Sequence, residues 1–267
     1  MIDLCVVNYN SAPLLKRMMD TLHSDLDSVE KVWKLYITDN GSTDSFVDFM
    51  RSNSHNYQID NLYLRNNIGY SAACNDMASR CNSDIVALLN GDIWMTSSDV
   101  QRVQEIFDED RSVHILGVKQ RDESGRITHA GVVGTGSNPV IRGWMLEDKE
   151  DTMFKDRINC VTVFGSAFFV RRDVWDEMTN HPEYKKIHPE AKGAFLPTPH
   201  YYEETWCAYF ARHLGYNVVY DGTVSIGHSW HASTPRPNEG ISEVDKYFPI
   251  SREIFRKACD HFGIERD

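Results

Sequence analysis

Two stretches of this chain carry side chains able to do chemistry: Asn90-Gly91-Asp92 and Tyr201-Tyr202-Glu203-Glu204-Thr205-Trp206. Asn90 and Asp92 follow the apolar run Ile85-Val86-Ala87-Leu88-Leu89, which reads as a buried strand. Alternate strand residues share a face, so two oxygen-bearing side chains leave its C-terminal end together. Such a pair suits a hard divalent cation completed by water and a phosphate. The plainer reading is a polar turn, with Ser97 or Ser98 capping the next helix. Glu203 and Glu204 open a helix, where acids complement the macrodipole. One acid aimed into a crevice also has the chemistry to take a proton from an attacking hydroxyl. His228 ends a strand with His231 close by, and imidazole is a common metal ligand. His181, His188 and His200 follow no usual ligand spacing and read as part of a solvated loop.

Two further stretches sit at strand-to-helix turns. Asp39-Asn40-Gly41-Ser42-Thr43-Asp44 places an acid where nucleotide folds use one to accept hydrogen bonds from a base or ribose. Its Asn-Gly pair and hydroxyls are also ordinary turn and cap chemistry. Arg65-Asn66-Asn67-Ile68-Gly69-Tyr70 puts a cation ahead of a helix N-terminus, a combination that favours an anion. The alternative is a glycine turn with a surface arginine. Asn75, inside the following helix, is unusual enough there to suggest a contact facing the crevice.

The elements that position these residues alternate. Strands are expected over 2–7, 32–38, 62–64 and 83–89, and helices over 12–23, 45–52, 71–80 and 98–108, with Ser11 as a candidate cap for the first. This rhythm means βαβ units and a mostly parallel, Rossmann-like α/β sheet flanked by helices. Right-handed crossovers bring the strands' C-terminal ends to one edge, so Asn8, Asp39, Arg65 and Asp92 are expected to converge on one crevice. Further strands are expected over 113–118, 128–133, 161–170, 218–220 and 223–228, the mixed, antiparallel acceptor-side portion. Helices are expected from 172, over 202–214 and over 242–262, the last broken at Pro249. Segment 137–156 reads as a long active-site loop, and 179–200, rich in His, Lys and Pro, as an insertion or mobile loop. A single domain is expected, with a nucleotide-binding half over 1–95, a catalytic half over 96–233 and a helical segment over 234–267.

The 267 residues give ample chain for a large core, and 41% hydrophobic with 25% charged residues is ordinary for a soluble globular protein. A net charge of -11 argues against a general nucleic-acid or anionic-membrane binder. One bound cation still makes room for an anionic ligand. The six cysteines are scattered, with no CxxC pair, which points to a reduced, cytoplasmic protein. No basic leader precedes the first strand, and no apolar run approaches the roughly 20 residues of a membrane span.

Taken together, these motifs resemble the family 2 inverting glycosyltransferases of the GT-A fold. The resemblance rests on Val6-Val7-Asn8-Tyr9-Asn10-Ser11, the Asp39 turn, Asn66-Asn67-Ile68-Gly69-Tyr70 with Asn75, and Leu88-Leu89-Asn90-Gly91-Asp92. It continues through His129-Ala130-Gly131, Gly165-Ser166 to Arg172, Glu203-Glu204 to Gly215-Tyr216, and His228. It implies a nucleotide-sugar donor, UDP- or dTDP-linked, recognised by Asp39 with Asn8 and Arg65. Asn10, Asn40, Gly41, Asn67, Gly69 and Asn75 belong to the same donor-binding set. Asn90-Gly91-Asp92 stands where the family has Asp-x-Asp, so Asp92, with His228, would bind Mn²⁺ or Mg²⁺. Glu203-Glu204 stands at the family's acidic pair, with Glu204 the general base. Gly165 and Ser166 would lie against donor sugar and acceptor, with Trp144 and Trp206 on the acceptor side. The acceptor would be a hydroxyl of a glycan, protein or lipid-linked sugar. Asn90 departs from the pattern by one negative charge, Glu204 by one methylene, and Trp206 by replacing an acid. The competing readings are a sugar nucleotidyltransferase and a catalytically dead carbohydrate-binding protein.

Overall fold

A computed structural model describes residues 1–53, 56–57, 59–64, 66–230, 232 and 245–265. Among these, ten strands join one sheet, whose main path runs in order through residues 157–159, 218–228, 115–121, 167–171, 85–90, 2–8, 33–39 and 61–64. The first four parallel strands are β1 (Ile2–Asn8), β2 (Trp33–Asp39), β3 (Asn61–Leu64) and β4 (Ile85–Asn90). Their register aligns the C-terminal ends: Asn8 stands opposite Asp39, Asp39 opposite Leu64, and Val7 opposite Asn90. The expected convergence on one edge is therefore built into the strand pairing. Arg65 and His231 lie outside the described residues.

Burial explains why β1 is apolar throughout: it has helices on both sides. Ile2, Leu4 and Val6 pack with Leu15, Met18, Met19 and Leu22 of α1 (Ala12–His23), and with Phe46 and Met50 of α2 (Phe46–Asn53). Val100, Val103 and Phe107 of α4 (Ser97–Glu109) join the same face. Cys5 and Val7 point the other way, toward Ala73, Cys74 and Met77 of α3 (Tyr70–Ala78). The local starts differ from expectation in detail. Thr96 caps α4, in a reciprocal box with Asp99, one residue before the expected serines. Ser11 stands at the N-cap of α1 but spends its hydroxyl on Asn8 Oδ1, 2.9 Å away.

The second half differs more from the sequence reading. Segment 128–133 is two strands, β7 (Ile127–His129) and β8 (Val132–Thr135), parted at Gly131, whose φ of +87° suits glycine. Within the expected 137–156 loop, β9 (Asn138–Ile141) forms a hairpin with β8. β10 (Arg157–Asn159) comes next, and β11 is confined to Ala167–Arg171, antiparallel to both β4 and β6 (Ile115–Arg121). The two strands expected over 218–228 are one, β12 (Val218–His228). Its register shifts between Asp221 and Ser225, where Asp221 Oδ1 accepts from the Thr223 amide and hydroxyl. A turn-like Asp-Gly-Thr thus sits inside a continuous strand. The last helix, α8, is Phe248–Phe262, and Pro249 stands in its first turn, where proline needs no amide partner, so the helix is unbroken there.

The 179–200 segment is not a solvated loop. After α5 (Arg172–Asn180) it contains α6 (Pro182–Ile187), and it buries Tyr184, Ala191, Ala194, Phe195 and Leu196. His181, His188 and His200 pack edge-on to Phe210, Tyr184 and Tyr201. Asn75 is what this segment docks on. Its Nδ2 donates to Phe195 O at 2.8 Å and its Oδ1 accepts from Phe195 N at 3.1 Å. Its amide is spent on backbone 120 residues away rather than on the crevice. This satisfies a backbone N–H and C=O that have no sheet partner.

Replacing Asn75 with Ala leaves the Phe195 N–H buried without its acceptor, while Phe195 O keeps the Tyr184 hydroxyl at 3.1 Å. We expect a loss of about 2 kcal/mol or more in unfolding free energy, read from urea melts, with donor-nucleotide affinity within twofold of the parent. Unchanged stability with weakened nucleotide binding would return Asn75 to the crevice.

Candidate active site

Asp39 is the floor of the first site element. Only 3% of it is exposed. Asn8, fully buried, donates through Nδ2 to Asp39 Oδ1 at 2.8 Å, and the Ser42 hydroxyl donates to the same oxygen. Ser42 N reaches Oδ2 at 3.2 Å. Asn8 thus braces the acid from beneath and has no surface of its own to offer a ligand. Gly41, at φ +84°, lets the chain turn back over the carboxylate. Asn10 stands at φ +51° and accepts from Thr43 N at 2.7 Å, tying the end of β1 to this turn. Asn40 ties the turn to the next one: its Nδ2 reaches Asn67 Oδ1 at 3.2 Å, and Ile68 N reaches its Oδ1 at 3.0 Å. Asn67 Oδ1 also accepts from Gly69 N, at 2.9 Å, ahead of α3. Asn8, Asn10, Asp39, Asn40, Asn67 and Gly69 are therefore linked through one hydrogen-bonded rim.

Asn90, Gly91 and Asp92 end and leave β4. The two-residue strand β5 (Ile93–Trp94) then pairs antiparallel with the end of β12, Ile93 opposite His228. Ser229 N donates to Asp92 O at 2.9 Å. This pairing places His228 Nε2 3.7 Å from Asp92 Oδ1, both side chains 5% exposed. Asp92 Oδ1 is buried without a hydrogen-bond partner. Burial is the main cause that raises the Asp92 carboxyl to about 7, with Glu123 adding to it. The Thr128 hydroxyl lies 3.4 Å from His228 Nδ1, so the imidazole has a second contact that orients it. An orphaned buried carboxylate oxygen beside an oriented imidazole fits a divalent cation. Among the described residues no three His, Cys, Asp or Glu side chains form a full cage, so a cation here would complete its shell with ligand and water oxygens.

A chain of contacts leads from this turn to the acids of α7 (Glu203–His213). Asn90 N donates to Ser166 O at 2.9 Å, because β11 runs antiparallel to β4 and brings its own start to the β4 end. The Ser166 hydroxyl is held by Gln120 Oε1 at 2.7 Å. Gly165 is the next link. A side chain there would stand 3.0 Å from Glu204 Cγ, so the missing Cβ makes room for the acid. Tyr201 and Tyr202 precede α7 with φ of +72° and +69°. Two consecutive left-handed aromatic residues cost about 1–2 kcal/mol each. They are held by the Tyr201 hydroxyl on Asp245 at 2.9 Å and by Tyr202 stacked on Phe255, 4.9 Å between centroids.

Trp206 departs from expectation. It is fully buried, stacked on Phe210 at 5.0 Å and Tyr184 at 5.9 Å, and belongs to the core rather than to an acceptor platform. Glu203, 5% exposed, faces Thr198, whose hydroxyl donates to its Oε2 at 3.3 Å. The sequence reading missed Thr198, which sits in the segment taken for a loop, and it missed Gln120. A separate cleft of about 820 Å³ lined by Arg17, Trp94, Arg121, Glu123 and Lys149 includes none of the donor-rim residues.

Burial, and then the neighbouring Glu204, push the Glu203 carboxyl up to about 8 from 4.5. The folded state therefore holds this proton more tightly than the unfolded chain does. Its stability contribution is intact below pH 4.5 and is lost as pH rises through about 8. Glu203→Gln is expected to flatten the fall in unfolding free energy between these limits, in urea melts at pH 5, 7 and 9. An equally steep fall in the variant would rule out Glu203 as a source.

Known proteins resemble this chain in sequence and in fold. The abequosyltransferase RfbV of Salmonella typhimurium is 22% identical over 204 residues, spanning 69% of this chain and 56% of that protein. An uncharacterized Sinorhizobium fredii protein, y4gI, is 25% identical over 235 residues, 86% of this chain and 24% of its own length. The chain thus spans little more than half of the first of these relatives and a quarter of the second. Among solved structures, the Pyrobaculum calidifontis mannosyltransferase PcManGT, in complex with GDP-Man and Mn²⁺, superposes with a TM-score of 0.59 at 14% identity, covering 97% of this chain and 64% of that one. S. aureus TarS 1-349 with UDP-GlcNAc gives 0.62 at 12% identity, covering 97% and 66%. The fold is that of the GT-A glycosyltransferases. The Glycosyl transferase family 2 model matches residues 3–179, and the chain belongs to that family.

Proposed function

We propose that this chain transfers a hexose or related sugar from a UDP- or dTDP-linked donor to an acceptor hydroxyl, with inversion at the anomeric carbon. The observation that carries the reading is the continuous link from the orphaned Asp92 Oδ1 and His228, through Asn90, Ser166 and Gly165, to Glu204. Asp39, with the Asn40–Asn67 rim, receives the base and ribose. Asp92 and His228 would hold Mn²⁺ or Mg²⁺, which would supply positive charge to offset that of the departing diphosphate. With Asn90 in place of an acid, Asp92 is the only carboxylate in the Asn90-Gly91-Asp92 turn.

Glu204 is the base. Burial raises its carboxyl above the ordinary range, so its ionised form is desolvated and avid for a proton. The acceptor hydroxyl oxygen attacks the anomeric carbon, its proton passes to Glu204, and the bond from that carbon to the diphosphate oxygen breaks. One in-line displacement inverts the centre. Glu203, whose carboxyl is raised by burial and by the neighbouring Glu204, is held against Thr198. The names of the similar proteins support this: PcManGT was solved with GDP-Man and Mn²⁺, and GalNAc-T7, at a TM-score of 0.62 and 13% identity, with UDP, GalNAc and Mn²⁺.

Glu204→Gln is expected to lower turnover of the donor by about 10²–10⁴-fold while UDP affinity stays within twofold. Asp92→Ala is expected to remove the Mn²⁺-dependent part of that affinity, and EDTA to abolish activity reversibly. Unchanged turnover in the Glu204 variant would sink the base assignment, and activity indifferent to EDTA would sink the metal.

A further inference from the structure

Three aromatic rings adjoin both ends of the proposed reaction centre. Trp144 meets Trp230 nearly at right angles, with centroids 4.7 Å apart and an angle of 80°. Its other neighbour is Phe164, at 6.1 Å and 62°. Trp230 stands edge-on to His228, 5.4 Å away. Phe164 directly precedes Gly165, the residue that makes room for Glu204. The cluster therefore meets His228 through the Trp230 ring, and the backbone of Phe164 leads into Gly165.

Its rings are held in place and remain open. Phe164 stacks on the buried His129, 4.6 Å between centroids. Trp144 keeps 37% of its surface exposed. Phe164 and Trp230 are half-buried. Trp144 lies between Gly143 at φ +62° and Met145 at φ +59°. The turn is fixed by Met145 N on Ile127 O, at 2.8 Å, and Leu146 N on Gly143 O, at 3.0 Å. A left-handed methionine costs about 1–3 kcal/mol, and such strain concentrates at ligand clamps. A single exposed tryptophan needs no special account. A corner of three contiguous rings that ends on His228 and Gly165 does.

We propose that this corner is the acceptor subsite and that it receives the pyranose ring of a carbohydrate acceptor; the inference rests on the sugar-transfer reading above. A sugar ring has an apolar C–H face and a hydroxyl rim. It matches amphipathic aromatic surfaces that are flat on one side and wet at the edge. Two perpendicular indoles offer one ring for the face and one for the edge, which fixes the orientation of the hydroxyl delivered to Glu204. An extended peptide acceptor would call for a free strand edge or backbone partners. A bilayer would call for basic residues, whereas this chain has a net charge of -11.

The test offers the full chain UDP- and dTDP-sugars with Mn²⁺ and three acceptor pools: oligosaccharides, Ser/Thr peptides, and phosphatidylglycerol vesicles that carry no sugar. Transfer to the oligosaccharides is expected. Trp144→Ala should raise the acceptor KM at least tenfold, with UDP affinity and acceptor-free donor hydrolysis within twofold of the parent, and Trp230→Ala should raise the acceptor KM by at least as much. Trp144→Phe should recover most of the loss, which a merely structural role would not require. No transfer to the oligosaccharides, or an acceptor KM unchanged in both alanine variants, overturns the subsite. A parent chain that neither binds UDP nor hydrolyses any donor sinks the underlying reaction instead.

Discussion

Much of this structure depends on one short pairing, the two residues of β5 against the end of β12. Asp92 and His228 are 136 positions apart by their numbers, and only this contact brings them within 3.7 Å. Gly227 makes the approach feasible, since a side chain there would run into the Trp94 indole at 1.7 Å. Arg17 closes the other side of that indole, 3.4 Å from its centroid. The result is a carboxylate held out of water with one oxygen left unsatisfied, an arrangement that costs free energy unless a cation completes it. The register shift in β12 between Asp221 and Ser225 belongs to the same strand, which remains paired with β6 on both sides of the shift.

The other acids obey the same logic by different means. Asp39 is buried but saturated by its own turn and by Asn8, so it is fixed as a rigid acceptor. Glu203 and Glu204 share one helix N-terminus, where the macrodipole favours negative charge and burial opposes it. Burial dominates, and both carboxyls rise. Glu204 is kept within reach of the β4 edge by the absence of a side chain at Gly165. The site is thus a row of acids graded by how completely the fold satisfies each one.

The first half was legible because its signals are local. Apolar runs of strand length, turn residues after each, and helical spacing between them placed four parallel strands within two residues of their observed ends. Asp39 and Asp92 came from strand ends alone. The errors arose where a distant partner decides. Asn75 looked like a ligand because its partner, Phe195, is 120 residues away. The 179–200 stretch looked like solvent-facing loop because its ten Lys, His and Pro residues outnumber the five buried apolar ones, Tyr184, Ala191, Ala194, Phe195 and Leu196. The family resemblance puts Trp206 on the acceptor side because it stands where the family carries an acid, but α7 is buried around most of its surface and takes the indole into the core. Asp221-Gly222-Thr223 has turn composition, and only the pairing partners show that the strand continues through it.

The clamp of Asn75 on Phe195 bears on how this molecule could be cut. The sequence suggests a boundary at residue 95 between a nucleotide-binding and a catalytic half, yet each of the two apolar clusters draws residues from both sides of it. A fragment ending there would lose the cover that Ala194, Phe195 and Leu196 give to Ala73, Cys74 and Met77. It would also leave β4 without β11, a bare apolar edge carrying Asn90 at its tip. The chain before and after residue 95 packs as one unit, and the strand that follows the Asn90-Gly91-Asp92 turn finds its partner, the end of β12, only after more than a hundred further residues have been made.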